Sequence, residues 1–314
     1  MDLNIKFNHL MIEWAAALSI LLTLFARPIS IRSAPSGNLL DKPNYFFEFL
    51  TFRGENDSTT FLEIFCQIPV QDFYFERSGS GYCANYNLSI CLFDSQNNKT
   101  AWEFYSDSVH VQHLDDFAQL VPHVIYFPFQ LKAGEYTAKV RITDLEKLSI
   151  IKFRKDISIP DYDQPTLRLS ALQVASMMVS SDDPSFLVKN KMKISPNVDH
   201  RFGLNHKKLF IYSEIYNLSY LDNDRNRDFE VSFKIRNYSG RVVKSMRFDQ
   251  PKLASASFLR LAIPIANLNE GKYELSVQIL DRDSKQSTQR STYFYIHNQP
   301  MHLVESFFFS RYLN

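Results

Sequence analysis

Three groups of residues have types and spacings that invite chemistry. His110, His113, Asp115 and Asp116 bring two imidazoles and two carboxylates into one short stretch. In a strand, residues three apart face opposite sides, so His110 and His113 cannot both reach one ion without a bulge, and no metal is expected there. The run Asp222-Asn223-Asp224-Arg225-Asn226-Arg227-Asp228 alternates oxygen ligands as a calcium loop does. Arg227 stands where such a loop turns on Gly, and Phe233 where a bidentate Glu would close the shell, so a solvated hairpin loop is expected instead. Glu214 lies within the apolar run Phe210-Ile211-Tyr212-Ser213-Glu214-Ile215-Tyr216. It shares a strand face with Tyr212 and Tyr216, which predicts a polar network between tyrosines at a domain surface. A general acid would need a second convergent group, and spacing supplies none. Gly-x-Ser-x-Gly elbows, Walker loops and His-Glu-x-x-His are absent from the sequence. No catalytic residue, metal ligand or cofactor is assigned, and a non-enzymatic protein is expected.

The elements that would position these residues are strands. Leu131-Lys-Ala-Gly-Glu-Tyr-Thr-Ala-Lys-Val-Arg-Ile-Thr-Asp144 and Leu268-Asn-Glu-Gly-Lys-Tyr-Glu-Leu-Ser-Val-Gln-Ile-Leu-Asp281 match at Leu, Gly, Tyr, Val, Ile and Asp with one constant offset. Each copy turns at Gly and then alternates apolar with polar residues, the pattern of a strand buried on one face. Aromatic residues are plentiful, with 27 Phe and 16 Tyr, whereas Gly numbers only 8. That composition suits pleated, half-buried surfaces. An all-β chain of two tandem immunoglobulin-like sandwiches is expected, over residues 45–160 and 167–297, joined by the polar, Pro-rich linker 161–166. Leu209 to Leu218 corresponds to the Leu62 strand and Phe229 to Arg236 to the strand through Ser89 and Ile90, with loops of different length between. Pro122 and Pro128 interrupt the strand Val121 to Phe129 and suggest an edge.

Charge excludes some partners. The 35 basic and 34 acidic residues are mixed, giving a net charge of +1, and no long run of Lys and Arg offers a phosphate-binding stripe, so nucleic acid is not an expected partner. Cys66, Cys83 and Cys91 lack metal-ligand spacing. Cys83 and Cys91 would be about 26 Å apart along one strand, out of bonding range. Three free thiols are expected, with Cys66 facing the core and the other two facing away from it. Sequons occur at Asn56, Asn87, Asn98, Asn217 and Asn237; with some in predicted strands, they read as chance in an Asn-rich chain.

The termini read differently from the middle. The apolar run Trp14 to Ala26, preceded by Lys6, suits a signal-peptide core, and residues 1–37 are expected to be a signal peptide or an N-terminal anchor plus linker. That would place the protein in the periplasm or cell envelope, with membrane contact only through residues 14–26 if they are retained. The tail 298–314 carries Phe307, Phe308, Phe309 and Tyr312, which either pack back onto the second domain or dock on a partner.

The order Leu-Glu-Ile-Phe-Cys-Gln-Ile-Pro-Val (62–70), Gly81-Tyr82-x-Ala84-x-Tyr86 and Phe93-Asp94 resembles the first β-domain of bacterial GWxTD domain-containing proteins. Phe186-Leu-Val-Lys-Asn190, Ile194-Ser-Pro-Asn197, Arg201-Phe-Gly203 and Tyr212-Ser-Glu-Ile-Tyr-Asn-Leu218 resemble that family's second domain, in colinear order over roughly 45–297. The Gly-Trp-x-Thr-Asp motif is missing, since Trp14 and Trp102 have the wrong neighbours. The resemblance therefore implies an exported protein without assigned catalytic residues, and the aromatic tail would be a stub leading toward that further domain. The function expected is a protein-interaction or scaffold module of the cell envelope, with an unidentified protein partner. The alternative is a carbohydrate-binding module or accessory domain of an envelope enzyme, which an exposed Trp102 with nearby tyrosines would favour and a buried Trp102 would oppose.

Overall fold

The computed structural model describes residues 45–55, 58–183, 185, 187–220 and 228–300, together with the backbone of Phe307–Phe309. The apolar run 14–26, the Asn56 sequon, residues 222–227 and Tyr312 lie outside them. The first unit is built from β1 (Phe46–Arg53), β2 (Thr59–Ile68), β3 (Glu76–Ser78), β4 (Gly81–Asp94), β5 (Lys99–Val111), β6 (His123–Lys132), β7 (Gly134–Asp144) and β8 (Ser149–Ile159). One sheet runs β1-β2-β6, and the other runs β3-β4-β7-β8 with β5 on the second side of β4. Ile64, Cys66, Leu88, Ile90, Phe127 and Val140, drawn from alternate positions of both sheets, close the core between them.

The second unit repeats this plan. Its strands are β9 (Arg168–Leu169), β10 (Gln173–Ser180), β11 (Val188–Lys189), β12 (Met192–Pro196), β13 (Arg201–Phe202), β14 (Lys208–Tyr216), β15 (Asp228–Asn237), β16 (Val242–Pro251), β17 (Ser257–Pro264), β18 (Gly271–Asp281) and β19 (Ser287–Ile296). The order β10-β14-β17 reproduces β1-β2-β6, and β16-β15-β18-β19 reproduces β5-β4-β7-β8. Leu209, Ile211, Val231, Phe233, Val277 and Phe294 fill its core. What differs is the connection between β10 and β14, where the β11-β12 hairpin extends the sheet beside β10.

The repeated signature now has physical content. Gly134 and Gly271 open β7 and β18 at φ 155° and 149°, a region that side-chain-bearing residues avoid. Tyr136 and Tyr273 donate their hydroxyls to the carbonyls of Lys132 and Asn269, four residues back, at 3.0 and 2.8 Å, which ties the start of each strand to the turn before it. Asp144 and Asp281 end the strands buried, each accepting the backbone N–H of a loop on the far side of the core, from Tyr74 and Ser219 respectively, both at 2.8 Å.

The two sandwiches do not swing on a free linker. The described residues of both sandwiches fall in one compact unit, and a third apolar layer forms between the outer faces of β1-β2-β6 and β12-β10-β14. Phe52, Phe65 and Tyr126 meet Ala175, Ile194 and Tyr212 there. The result is four stacked sheets. β2 is therefore buried on both faces, which is why Phe61 to Val70 reads as a nearly unbroken apolar run instead of alternating cleanly. The linker is held as well: Tyr162 is 1% exposed, and the Asn217 amide lies 2.7 to 3.1 Å from the carbonyls of Tyr162, Gln164 and Thr166.

Three local features refine the strand reading. Trp102 to Tyr105 and His110 to Val111 lie in the single long β5, whose Ser106, Asp107 and Ser108 are polar because that stretch faces solvent or an edge; a 3-10 turn follows at Leu114–Gln119. The described part of the tail, Phe307–Phe309 (β20), runs parallel to β6 of the first sandwich at Val124 to Tyr126 and not along the second sandwich. β6 is otherwise the open edge of its sheet, so the tail backbone satisfies groups that would face solvent. Cys83 does lie on the outer face of β4, yet it is buried beneath neighbouring side chains, unlike the partly exposed Cys91.

All three cysteines are free thiols. Burial pushes the Cys66 thiol well above its ordinary range. A disulfide-exchange reagent at neutral pH should label Cys91 readily and Cys66 only after denaturation. Equal labelling rates for the two in the folded protein would contradict the packing described.

Candidate functional site

The chemistry-bearing residues converge where the sandwiches meet. β14 places Tyr212, Glu214 and Tyr216 on the face turned toward the first sandwich, since Leu209, Ile211 and Ile215 occupy the core face. Tyr212 and Tyr216 both donate to Glu214, at 2.6 Å to each carboxylate oxygen. Burial first, and the Glu214 charge second, push both phenols far above their ordinary range. The network expected around Glu214 is present, at an interface between layers.

The second convergent carboxylate is Glu63, which sequence reasoning missed. It is 1% exposed on the outer face of β2 and accepts from Tyr126 at 3.2 Å and from the Lys189 ammonium. Burial raises the Glu63 carboxyl, and Lys189 opposes that rise by charge and hydrogen bond. Lys189 comes from the β11-β12 hairpin, also bonds Gln173 at 3.0 Å, and sits 3.8 Å over the Phe52 ring. A cleft of about 600 Å³ opens here, lined by Phe52, Phe61, Glu63, Pro128, Lys189 and Glu214 among others. Two carboxylates, an ammonium and phenols in an aromatic cleft resemble a general acid–base set. Their hydrogen bonds, however, point at one another: both Glu63 oxygens and both Glu214 oxygens are occupied by protein donors. Such a closed network fixes the two layers in register.

Arg53 completes the contact at the linker end. Its backbone N–H donates to the Tyr216 hydroxyl at 2.9 Å, and its guanidinium lies 4.5 Å over the Tyr216 ring while donating to the Tyr162 carbonyl and to Asn217 Oδ1. At the other end, His200 bridges the layers, with Nε2 at 2.9 Å from Glu48 Oε1 and Nδ1 at 2.7 Å from the Tyr293 carbonyl. Burial would lower the His200 imidazole, but the Glu48 charge and hydrogen bond outweigh it and the net shift is upward. A raised folded-state value means that the stabilisation is complete below the ordinary 6.5 and is lost as pH rises through the folded value. Denaturation midpoints should therefore fall across that window, and Glu48→Gln should flatten the fall. An unchanged pH profile in the variant would show that the pair does not couple the layers.

The remaining candidates separate. His110 Nε2 lies 3.8 Å from Cys83 Sγ on the outer face of β4-β5, whereas His113 caps the 3-10 turn and its N–H donates to Asp116 at 2.8 Å. Among the described residues no group of three or more His, Cys, Asp or Glu could hold a metal ion. Likewise no helix among them is long and apolar enough to cross a membrane. The Asn217 amide is engaged by the linker, and Asn98 stands exposed in the β4-β5 turn. Trp102, on the outer face of β5, is 58% exposed.

A search of protein families finds no match, and neither does a search of curated proteins. Among solved structures, β-glucuronidase from Parabacteroides merdae aligns with 77% of this chain and 29% of its own, at 9% identity and a TM-score of 0.27. Dimeric latent PorU from Porphyromonas gingivalis aligns with 83% of this chain and 21% of its own, at 11% identity and a TM-score of 0.29. The chain thus spans less than a third of the length of either.

Proposed function

We propose that this chain is a non-enzymatic, exported cell-envelope module that works by binding, as a rigid scaffold for a protein partner. The observation that carries the reading is the closed network: the acids, lysine and phenols that could have done chemistry are occupied by protein partners, and the Lys189–Glu63 pair ties the two facing sheets together. The aromatic tail bears on the same reading. Phe307–Phe309 takes the edge of β6, so a partner recognising the tail would either displace this strand or extend the sheet beyond it.

Capture from the native envelope tests this, comparing the full chain with one ending at residue 298. A specific protein retained by the full chain and lost on truncation supports a docking role for Phe307, Phe308, Phe309 and Tyr312. Identical capture by both removes the tail from the proposal. A second reading, binding of carbohydrate, draws support from the exposure of Trp102, because an indole presented on a flat sheet face suits stacking on a sugar ring.

A further inference from the structure

The outer face of the β5-β4-β7-β8 sheet carries a charge pattern that the sequence conceals. Outward positions on β7 hold Lys139 and Arg141, and those on β8 hold Lys152 and Arg154. The register sets Lys139 opposite Arg154 and Arg141 opposite Lys152. Four cations thus occupy one compact square, all exposed. Like charges directly opposed across strands oppose pairing, so folding does not ask for this arrangement. Only Arg154 among the four has a carboxylate within ion-pair reach among the described residues, Asp156 at 3.4 Å. The Lys139 ammonium lies 3.8 Å over the Phe93 ring on the same face.

The square continues into an aromatic strip. Trp102 pairs with Cys91, which pairs with Lys139; Phe104 pairs with Ser89, which pairs with Arg141. Two parallel rows therefore run aromatic, small residue, cation, cation across four strands, a span of about 14 Å.

The second sandwich provides an internal control. Its matching positions, found through the repeat and its register, are Ser276 and Gln278 on β18, opposite Ser291 and Gln289 on β19. Ser245 and Arg247 stand where Trp102 and Phe104 stand in the first. Two of its exposed charges, Arg247 and Arg282, are moreover paired to Glu230. The same fold does without the basic square and without the indole, so their presence in the first sandwich calls for a ligand.

We propose that this face binds an anionic polysaccharide, with Trp102 stacking on a sugar ring while Lys139, Arg141, Lys152 and Arg154 hold carboxylate groups along the chain. The inference rests on the reading of the protein as a binding module and names the ligand class for a site distinct from the tail. An exposed indole beside a few guanidinium and ammonium groups matches a polymer that has sugar faces and regularly spaced carboxylates. Single-stranded nucleic acid would want a longer electropositive track with successive stacking platforms, and Asp156 and Glu135 close this one at the β7-β8 end.

Polygalacturonate, its fully methyl-esterified form and oligo-dT serve as probes in affinity electrophoresis of the full chain. Polygalacturonate should retard the protein, the neutral ester much less, and added salt should release it. Trp102→Ala and the fourfold Lys139/Arg141/Lys152/Arg154→Gln variant should each weaken retardation about tenfold. Both change exposed side chains, and an unaltered denaturation midpoint confirms that each variant is folded. Equal retardation by acidic and esterified polymer overturns the charge assignment and leaves a neutral stacking face. Preference for oligo-dT overturns the ligand class. Retardation by none of the three overturns the site altogether, while the scaffold reading is judged separately by envelope capture.

Discussion

Asp281→Ala should cost the folded protein about 3–5 kcal/mol, because it takes from a buried lysine its one fully buried carboxylate and also removes two loop caps. The Lys252 side chain is 1% exposed, and its ammonium lies 2.5 Å from Asp281, 2.6 Å from Asp283 and 3.0 Å from the Ser219 carbonyl. Asp281 also holds the Ser219 N–H and the Ser284 hydroxyl, both at 2.8 Å. Its repeat counterpart, Asp144, accepts the Tyr74 and Lys147 N–H groups at 2.8 and 2.9 Å. Asp144→Ala should therefore cost only about 1–3 kcal/mol, the loss of loop caps. Adding Lys252→Met to Asp281→Ala should recover part of the larger loss, since the buried ammonium is then gone and only Asp283, a quarter exposed, loses this ion pair. Urea denaturation of the three variants decides the matter, and equal costs for the two aspartates would sink the argument. The pH dependence follows. Burial would raise the Asp281 carboxyl, but bonds from Lys252 and the Ser219 N–H override it and hold the carboxyl below its usual 3.8. The advantage of wild type over Asp281→Ala should persist to pH 3.8 and fade only as pH falls through the lowered value.

That pair of aspartates also shows what was readable in the sequence. Gly, Tyr and Asp recur at fixed spacing in Gly134-x-Tyr136 to Asp144 and in Gly271-x-Tyr273 to Asp281 because each does the same local job: a glycine-only φ, a hydroxyl folded back to the turn, a carboxylate reaching across the core. Period-two alternation placed these strands, and it placed Glu214 between Tyr212 and Tyr216. Local signals end there. The face that Tyr212, Glu214 and Tyr216 share was readable, whereas what covers it was not, because the cover is the outer face of β1-β2-β6 in the other sandwich, and Lys189 and Asn190 reach Tyr212 from a hairpin with no copy there. A usable signal did exist in Phe61 to Val70, whose failure to alternate means burial on both faces and so implies that Glu63 must find a buried partner. The basic square escaped for a different reason. Lys139 and Arg141 alternate with Val140 and Ile142, as Lys152 and Arg154 do with Ile151 and Phe153, so no run of charge exists along the chain and only the hairpin register assembles one.

Lys189→Met should be the most pH-dependent lesion in the molecule. Glu63 would then keep only its bond from Tyr126 in a site where it is nearly inaccessible, and leaving such a carboxylate charged costs about 3–5 kcal/mol at neutral pH. Protonation relieves the problem. Burial already raises the Glu63 carboxyl above 4.5 in the intact protein, with Lys189 opposing, so removing Lys189 must raise it further. Between 4.5 and that folded value the native state binds a proton that the unfolded chain has released, and stability falls as pH rises through the window. The deficit of Lys189→Met against wild type should therefore shrink on moving from pH 7.5 to pH 4.5. Glu63→Gln in the Lys189→Met background should remove the pH dependence and restore much of the loss, because the amide carries no charge and still accepts from Tyr126. Hydrogen exchange separates a loosened interface from a weakened sandwich. Amides of β2 and β14, which face each other across the layers, should exchange faster in Lys189→Met at pH 7.5, while those of β7 and β18 stay protected. Uniform acceleration across all four strands would mean that the ion pair supports each fold as a whole and does not hold the two sandwiches in register.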